Sequence, residues 1–378
     1  MDRRNFIRLV GGGAVLAATA SLAGCAEAPD ATTAWVSPGS SERDIRRYAL
    51  AHAILAPNPH NRQPWLARLE GESDLALFID RTRLLPATDP FGRQIVIGCG
   101  AFLELLAIAA SIKGYEARIT PFPEGQPERS LDGRPFARVS FVRGGTADPL
   151  FRHILRRRTS RDPFAEQRIP RADLAALEKA GLAPGLRTGS ASGGATLAGL
   201  KDLTQRAFHR EVDTPAANRE TVDLIRIGAH EVAEHRDGIS LTGGTVEAMN
   251  AVGILTRDKL ARPGTLAFKQ NRAFCDPLCA SARAFVWIVS QGEGRMLELA
   301  AGRAYARMAL EATGRHIALQ PMSQALQEYP EMAPLFAESR LRTALQPGER
   351  LQMLVRAGYA AEGPPAPRRG LAAHIRAA

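Results

Sequence analysis

The sequence is poor in lysine and in aromatic residues. Only five of its 49 basic residues are lysines, so arginine carries nearly all the positive charge, and aromatic residues make up 6% of the chain. Because the basic residues are scattered and few aromatic side chains accompany them, the composition argues against a nucleic-acid-binding surface. An arginine fork suits phosphate and carboxylate anions, although a GC-rich coding bias would also explain much of the excess.

Long hydrophobic runs are almost absent. The longest, residues 9–24, has 16 residues, includes three consecutive glycines and is shorter than the roughly 20 residues needed to span a bilayer. A chain of 378 residues with 45% hydrophobic and 23% charged residues has an ordinary globular composition. The composition excludes wholesale disorder, a collagen-like chain and a coiled coil, and it predicts that the body of the protein is not embedded in a membrane.

The N-terminus resembles a twin-arginine export signal. Residues 2–8 read Asp-Arg-Arg-Asn-Phe-Ile-Arg, the apolar run follows, and Leu22-Ala23-Gly24-Cys25 resembles a lipobox. We therefore expect residues 1–24 to be a signal peptide and Cys25 to carry lipid, which predicts a periplasmic or extracytoplasmic, membrane-anchored lipoprotein that uses the twin-arginine export machinery. Such machinery carries folded proteins, often with a cofactor inside. Residues 25–41 are rich in Ala, Pro, Ser and Thr and predict a flexible tether.

An internal repeat divides the rest of the chain. Residues 101–122 and 301–322 align without gaps, and the alignment depends on matched turn residues, Gly114 with Gly314 and Pro121 with Pro321. Each copy predicts a helix, a glycine at its end, a short strand and a turn. We expect two related halves, residues 42–145 and 146–378, packed as a pseudo-dimer within one monomeric chain.

Local patterns place the elements of the first half. They predict a helix that ends before Pro57, an almost wholly apolar helix at 95–112 that should be buried on most faces, and four strands, at 65–69, 75–79, 117–120 and 137–142. In the second half, residues 237–271 mix Gly, Thr and Pro without clear periodicity. They predict an insertion, either a lid over a site or a poorly ordered surface loop.

Several catalytic motifs fail on inspection. His230 and His235 lie five residues apart, about 140° around a helix, so they cannot grip one zinc ion together. The sequence also lacks a G-x-S-x-G elbow, a Walker loop and a strand-linked G-x-G-x-x-G. An oxidising compartment permits a disulfide between Cys275 and Cys279, but their spacing matches no zinc signature, which favours two inert thiols and predicts no metal site.

Three separated segments have chemistry that suits a phosphorylated aromatic ligand. Residues 156–164 offer four guanidinium groups and two hydroxyls for a phosphate dianion. Residues 58–65 offer three side-chain amides for the edge of a planar heterocycle. Residues 358–369 form a proline-rich arm that ends in two arginines. Taken singly, each has a simpler explanation, namely a solvated basic run, a proline loop with internal turns, and a solvated tail.

Taken together, the segments resemble the FMN-dependent nitroreductase family. Arg-Arg-Thr-Ser-Arg-x-x-Phe at residues 157–164, Ala-Pro-Asn-Pro-His-Asn-Arg-Gln-Pro-Trp at 56–65 and Gly-Tyr-x-x-Glu-x-Pro-Pro-x-Pro-Arg-Arg at 358–369 are similar to its signatures. Here the proline loop precedes the arginines, an order that resembles the double-length, Acg-like subfamily. The resemblance implies an α+β, nitroreductase-like, three-layer α/β/α fold with one FMN site that uses residues from both halves.

By motif position, the resemblance assigns the arginine segment to the cofactor. Arg157 and Thr159 would hold the phosphate, and Arg158 the ribityl or phosphate region. Arg161 would face the N1–O2 edge of the ring, where a cation stabilises reduced flavin.

The same resemblance assigns residues from both halves to the flavin. Asn61 and Gln63 would lie near the ring, Arg368 or Arg369 would close on the phosphate, and Asn58 stands where the family usually has serine. The resemblance also implies that one turn packs beside the ring, namely Gln320, Pro321, Met322 and Ser323. The simpler alternative is that this turn only connects a helix to a strand.

The resemblance implies two functions. One is an exported FMN-dependent oxidoreductase that reduces nitroaromatic or quinone-like acceptors. The other is a non-enzymatic protein that stores or sequesters FMN, because the usual NAD(P)H donor is scarce outside the cytoplasm. No catalytic residue and no electron donor can be assigned from the sequence.

Overall fold

The computed structural model describes residues 29–376 of the chain. The predicted signal peptide, residues 1–24, and the predicted lipidation site, Cys25, lie outside the described residues. Export and lipidation therefore stay predictions.

The first half is a four-stranded sheet with two helices packed on it. Its elements are α1 (Ile45–Ala53), β1 (Trp65–Glu70), β2 (Asp74–Ile79), α2 (Arg93–Ile112), β3 (Tyr115–Pro121) and β4 (Ala137–Arg143). The strands are antiparallel in the order β1-β2-β4-β3. Helix α2 is long and apolar enough to cross a membrane, but 89% of its apolar window is buried inside the fold, which makes it a core helix.

The second half contains more elements. In chain order they are α3 (Arg171–Ala180), β5 (Leu186–Ala191), α4 (Gly194–Asp213), α5 (Pro215–Asp223), β6 (Ile225–Ile227), α6 (Ala229–His235), β7 (Ile239–Leu241), α7 (Gly244–Ala251), α8 (Arg257–Ala261), α9 (Leu266–Ala273), α10 (Asp276–Ser281), β8 (Ala284–Gln291), α11 (Arg295–Gly314), β9 (Ala318–Pro321), α12 (Ala333–Arg342) and β10 (Glu349–Gly358).

The two halves share one topology. The second sheet has the strand order β5-β8-β10-β9 and is also antiparallel throughout. Each element of the first half has a counterpart in the same position, with α3 matching α1, and α11 matching α2. The predicted α+β class is thus confirmed. Helices cover both faces of the second sheet, with α3 and α11 on one side and α4 and α12 on the other.

The large insertion lies within the second sheet's first hairpin. Residues 71–73 join β1 to β2, whereas residues 192–283 join the corresponding strands β5 and β8. The prediction of an insertion at 237–271 was therefore too short. Helices α4 and α5 precede that stretch with regular amphipathic patterns, so their sequence alone does not set them apart from the shared fold. The stretch itself is ordered, with β7, α7, α8 and part of α9.

The N-terminal tether was also predicted wrongly, in its described part. Residues 33–35 form a short 3-10 helix, and Trp35 is buried. The indole Nε1 of Trp35 donates a hydrogen bond to Ala366 O (2.8 Å), and Arg368 N donates to Ala31 O (3.1 Å). The apolar area of one tryptophan fixes a segment whose composition otherwise predicts flexibility.

Helices α2 and α11 hold the two halves together at a glycine-lined crossing. A Cβ atom on Gly302 would lie 1.9 Å from Ile97 O, and a Cβ atom on Gly100 would lie 2.0 Å from Leu299 O. Only glycine permits such an approach of two helix backbones. Glu104 reinforces the crossing because it pairs with Arg303 and Arg307 at 2.7 and 2.8 Å.

Substitution of Gly302 tests this crossing. Gly302→Ala should lower the free energy of unfolding by about 1–3 kcal/mol, because the added methyl overlaps a backbone carbonyl and must push the helices apart. Urea unfolding followed by circular dichroism measures the change. The control is Gly133→Ala, where a Cβ atom would meet nothing within 4 Å and stability should change by less than about 0.5 kcal/mol. Equal effects of the two substitutions would contradict a close crossing.

Candidate functional site

The loop that joins α1 to β1 has an unusual backbone. His60, Asn61 and Gln63 have φ angles of 47°, 50° and 49°, in the left-handed region that residues other than glycine rarely adopt. Asn58 stabilises the loop because its Oδ1 accepts a hydrogen bond from Gln63 N (2.7 Å). The loop packs against α2 at Gly98, where a Cβ atom would lie 3.1 Å from Asn58 Cβ. Backbone strain of this kind is concentrated at functional sites.

The C-terminal arm closes on this loop. Asn61 Nδ2 donates to Pro367 O (3.0 Å), and Gln63 Oε1 accepts from Arg369 N (2.9 Å). The guanidinium of Arg369 donates in turn to Gln63 O (2.7 Å). The structure thus brings together two segments that lie about 300 residues apart in the sequence.

Arg368 is buried at the C-terminal end of α1. Its guanidinium donates to the carbonyls of Ile54 (2.9 Å), Leu55 (3.2 Å) and Ala56 (3.1 Å), and to Asn61 Oδ1 (2.6 Å). These carbonyls lie at the negative end of the helix dipole, which stabilises a cation. The carbonyl at residue 55 also accepts from Arg157 Nη2 (3.2 Å). One helix end therefore holds two guanidinium groups from the second half.

Arg157 retains hydrogen-bonding capacity in the interior. It is 3% exposed, and its Nε and Nη1 atoms have no hydrogen-bond partner among the described residues. Arg158 is differently placed, because it donates to Gly363 O (3.2 Å) and lies 3.7 Å from a carboxylate oxygen of Glu362. Arg161 forms no hydrogen bond or ion pair within residues 29–376.

Trp35 lies among these cations. Its ring centroid is 4.8 Å from the guanidinium carbon of Arg158, 5.5 Å from that of Arg368 and 5.9 Å from that of Arg157. The electron-rich face of an indole attracts cations at such distances. Trp35 therefore stabilises the cluster that the three arginines form.

The electrostatics show an excess of positive charge. Burial, followed by repulsion from Arg157, Arg158 and Arg161, lowers the pKa of Arg368 to about 9. Burial likewise lowers the pKa of Arg157 to about 10. Arg161 is exposed to solvent. The protein atoms around it nevertheless remove part of its hydration, and this desolvation lowers its pKa. Burial, followed by repulsion from Arg161, lowers the pKa of His60 to about 4.

The predicted turn at residues 320–323 packs beside the arginine segment. Ser160 N donates to Leu319 O (3.0 Å), so the 157–161 stretch lies along β9. Gln320 Oε1 accepts from Arg356 Nε (2.6 Å), and Arg356 also donates to Asp162 O (2.9 Å). Of the other turn residues, Pro321 ends β9, Met322 is buried, and Ser323 Oγ is buried without a partner among the described residues.

The structure assembles the predicted segments but corrects what several side chains do. The amides of Asn58, Asn61 and Gln63 were expected to face a heterocycle, yet they bond to the loop, the C-terminal arm and the insertion. Arg368 or Arg369 was expected to close on a phosphate, yet the guanidinium of Arg368 donates to backbone carbonyls and to Asn61 Oδ1, and that of Arg369 donates to Gln63 O. The expected and observed roles differ because these side-chain amides hold the strained 58–63 loop in its conformation. Around these segments, the buried side-chain atoms without a hydrogen-bond partner among the described residues are Arg157 Nε and Nη1, Arg369 Nε, His60 Nδ1 and Ser323 Oγ. A binding role for the predicted residues stays a prediction.

The sequence analysis missed Trp35, His60 and Arg356. Trp35 stands alone in a polar segment, and a solitary tryptophan there was a usable signal. Arg356 is an arginine that is 0% exposed within strand β10, where a charge interrupts an apolar run. His60 had no such signal, because its isolation follows from a backbone conformation that no local pattern predicts.

Comparisons with known proteins agree with the sequence resemblance over part of the chain. No protein-family model matches the chain. It is 39% identical over 126 residues to a Mycobacterium tuberculosis H37Rv protein named "Putative NAD(P)H nitroreductase acg", over 32% of this chain and 37% of that protein. It is 40% identical over 119 residues to an uncharacterised protein of the same strain, over 31% of this chain and 34% of that protein. The chain thus matches about a third of the length of these relatives, and the Acg-like resemblance is confirmed over that stretch.

Solved structures give looser likenesses. The FMN and NADPH-dependent nitroreductase NfnB from Sphigopyxis sp. strain HMH is 16% identical with a TM-score of 0.38, over 61% of this chain and 99% of that one. The FMN-dependent nitroreductase NfnB from Mycobacterium smegmatis is 18% identical with a TM-score of 0.37, over 60% and 96%. Overlaps at these TM-scores do not define a shared fold.

A buried histidine that follows the C-terminal arm should make the stability of the fold pH-dependent. His374 is 1% exposed and its Nδ1 lies 3.1 Å from Trp65 O. Burial, followed by repulsion from Arg369, lowers the pKa of His374 to about 3. Because the unfolded chain takes up a proton at this residue near pH 6.5, stability should fall by up to about 1.4 kcal/mol per pH unit as the pH drops from about 6.5 towards 3.

Urea unfolding at pH 7 and pH 5 tests this prediction. The wild type should lose about 2 kcal/mol more between these pH values than His374→Gln does. The matched control His235→Gln removes an exposed imidazole and should keep the pH dependence of the wild type. If His374→Gln and the wild type show the same slope, the folded protein does not hold this imidazole in its neutral form.

Proposed function

We propose that the chain binds FMN between its two halves and acts as an oxidoreductase of the nitroreductase type. The observation that carries the proposal is Arg157, which is buried in the guanidinium cluster at the junction of the halves and has no carboxylate partner among the described residues. Arg161, four residues further along the chain, is exposed and also lacks a carboxylate partner there. A buried cation without a partner is costly. A ligand that brings negative charge to this place would offset that cost.

A phosphate monoester fits the donors present. Arg157 has two guanidinium nitrogens without a partner, and Arg161 has no protein partner among the described residues. Thr159, which lies between them in the sequence, contributes a half-buried residue with a hydroxyl. Phosphate dianions form short charge-assisted hydrogen bonds with such groups. A carboxylate ligand would use fewer of these donors, so the set favours a phosphate.

The flavin, when bound, supplies the two-electron redox chemistry. The residues of this chain bind and orient it. Arg161 would place a positive charge near the reduced ring, and the strained 58–63 loop would present a fixed backbone. We take nitroaromatic or quinone-like compounds as the acceptors; the name of the relative, a putative NAD(P)H nitroreductase similar over about a third of the chain, supports the nitro compounds.

The proposal includes export. The twin-arginine pattern at residues 2–8 and the lipobox-like Leu22–Cys25 support a lipoprotein on the outer side of the cytoplasmic membrane. A protein that folds around its cofactor before export is consistent with a flavin held between two halves of one chain.

Storage of FMN is the second candidate, and the insertion favours it. Gln63 Nε2 donates to Arg236 O (2.8 Å), and Gly238 N donates to Asn61 O (3.3 Å). Asp237 anchors this contact because it pairs with Arg83 and Arg226, each at 2.7 Å. The insertion thus closes one side of the loop and would restrict access of a second substrate.

Arg161→Met tests the cofactor site. Because Arg161 has no protein partner, its removal should leave stability unchanged but weaken FMN binding about tenfold or more, the loss expected for a hydrogen bond to a charged group. Fluorescence titration with FMN measures the dissociation constant. The control Arg168→Met removes an equally exposed arginine seven residues further along the chain and should bind like the wild type. Equal affinity in both variants would contradict the assignment.

Steady-state NAD(P)H oxidation separates the two functions. With nitrofurazone or menadione as acceptor, an oxidoreductase should turn over well above the background of free FMN at equal concentration. A protein that binds FMN stoichiometrically but shows only that background is a storage protein. A protein that takes up no FMN rules out both.

A further inference from the structure

A second cluster of reactive side chains lies in the insertion and includes none of the residues assigned to the candidate flavin site. It consists of His209 on α4, Cys275 immediately before α10, and Asp276 at the start of α10. One ligand atom from each of the three lies within 4.8 Å of the others. His209 Nε2 is 2.7 Å from Asp276 Oδ1. The histidine and the cysteine lie 66 positions apart in the sequence, so no short sequence motif contains both of them.

The cluster is buried on one side and open on the other. Cys275 is 1% exposed, whereas the side chains of His209 and Asp276 are 18% and 37% exposed. A small ion can therefore enter from solvent and reach the thiol from the polar side. An apolar cluster that includes Leu203, Ala207 and Cys279 surrounds the sulfur side, which shields a metal–sulfur bond from water.

The surrounding contacts fix the three side chains in place. Cys279 N donates to Cys275 O (2.8 Å), and Thr204 Oγ1 donates to Cys279 Sγ (3.5 Å), which joins α10 to α4. Phe208 and Phe274 pack with ring centroids 6.4 Å apart. The residues adjacent to the cluster thus pair the two segments independently of any ligand, so the site is preorganised.

We propose that His209, Cys275 and Asp276 bind one zinc-class divalent ion. Zinc prefers thiolate, imidazole and carboxylate ligands in tetrahedral geometry, with bonds of about 2.3 Å to sulfur and 2.0–2.2 Å to nitrogen and oxygen. Such bonds place neighbouring ligand atoms about 3–4 Å apart, so the three atoms need only small shifts from their present separations. Three protein ligands leave the fourth position to water.

The ligand types select the class of ion. A thiolate and an imidazole favour zinc and similar transition metals, whereas magnesium and calcium prefer oxygen ligands only. The sequence had favoured inert thiols on the spacing of Cys275 and Cys279 alone. The new feature is the histidine that the fold brings from α4.

A bound ion would connect the insertion to the second sheet. Helix α10 is already joined to β10, because Arg356 Nη1 donates to Leu278 O (3.2 Å). Cross-linking α4 to α10 would therefore hold the base of the insertion against the sheet. Metal binding to the folded state also raises thermal stability by mass action.

Metal analysis of the intact chain tests the proposal. The protein is purified without a histidine tag or chelator, kept reduced, and its zinc content is measured by mass spectrometry. We expect one zinc per chain, a rise in melting temperature when zinc is added back after chelation, and, with Co²⁺ as probe, the near-ultraviolet thiolate-to-cobalt band of a cysteine ligand. The absence of stoichiometric metal after zinc is added, or of the thiolate band, would overturn the proposal.

Variants assign the ligands. Asp276→Asn changes a partly exposed side chain, so it should fold normally and weaken zinc binding at least tenfold; Cys275→Ser should abolish the cobalt–thiolate band. Cys99→Ser alters a buried thiol outside the cluster and His235→Gln an exposed imidazole, and both should bind zinc as the wild type does. Unchanged affinity in Asp276→Asn, or equal losses in the controls, would show that the ion binds elsewhere.

Discussion

The carbonyl groups at the end of helix α1 hold two buried guanidinium groups that belong to the other half of the molecule. Arg157 and Arg368 both donate to Leu55 O at 3.2 Å. These carbonyls and the helix dipole behind them, together with Asn61 Oδ1 and the ring of Trp35, compensate the positive charge in the interior. The junction of the halves therefore depends on this helix end, and Arg157, through its unsatisfied nitrogens, makes the same place receptive to an anion.

The two halves are equivalent in topology but not in the loops that carry chemistry. Between α1 and β1 lie eleven residues, 54–64, which form the strained polar loop; between α3 and β5 lie only five, 181–185. The β1–β2 turn has three residues, whereas its counterpart is the 92-residue insertion, 192–283. A duplicated scaffold has thus kept its packing, with Gly100 and Gly302 at the crossing, while only one junction retains the long polar loop. This asymmetry supports a single site rather than two.

Sequence patterns were enough to predict the helices and strands whose formation depends on residues close together in the chain. The strand patterns at 65–69 and 75–79 predicted β1 and β2, and the almost wholly apolar run at 95–112 predicted α2 within two residues of its start. The prediction that residues 58–63, 157–161 and 368–369 come together depended on considering the three motifs jointly, because no single motif indicated it. Hydrogen-bond partners could not be predicted, because Asn58 and Gln63 bond to backbone groups that only the folded loop places. The pairing of His209 with Cys275 and Asp276 likewise depends on how α4 packs against α10.

The comparison of FMN with riboflavin tests the central claim most directly. The two ligands share the ring system and differ in the phosphate, so their dissociation constants, measured by fluorescence titration of the same protein at fixed salt, isolate the contribution of the guanidinium cluster. The structure predicts that FMN binds at least about tenfold more tightly, as expected for charge-assisted hydrogen bonds to a dianion. Equal affinities for the two ligands would contradict the view that Arg157 and Arg161 form a phosphate site.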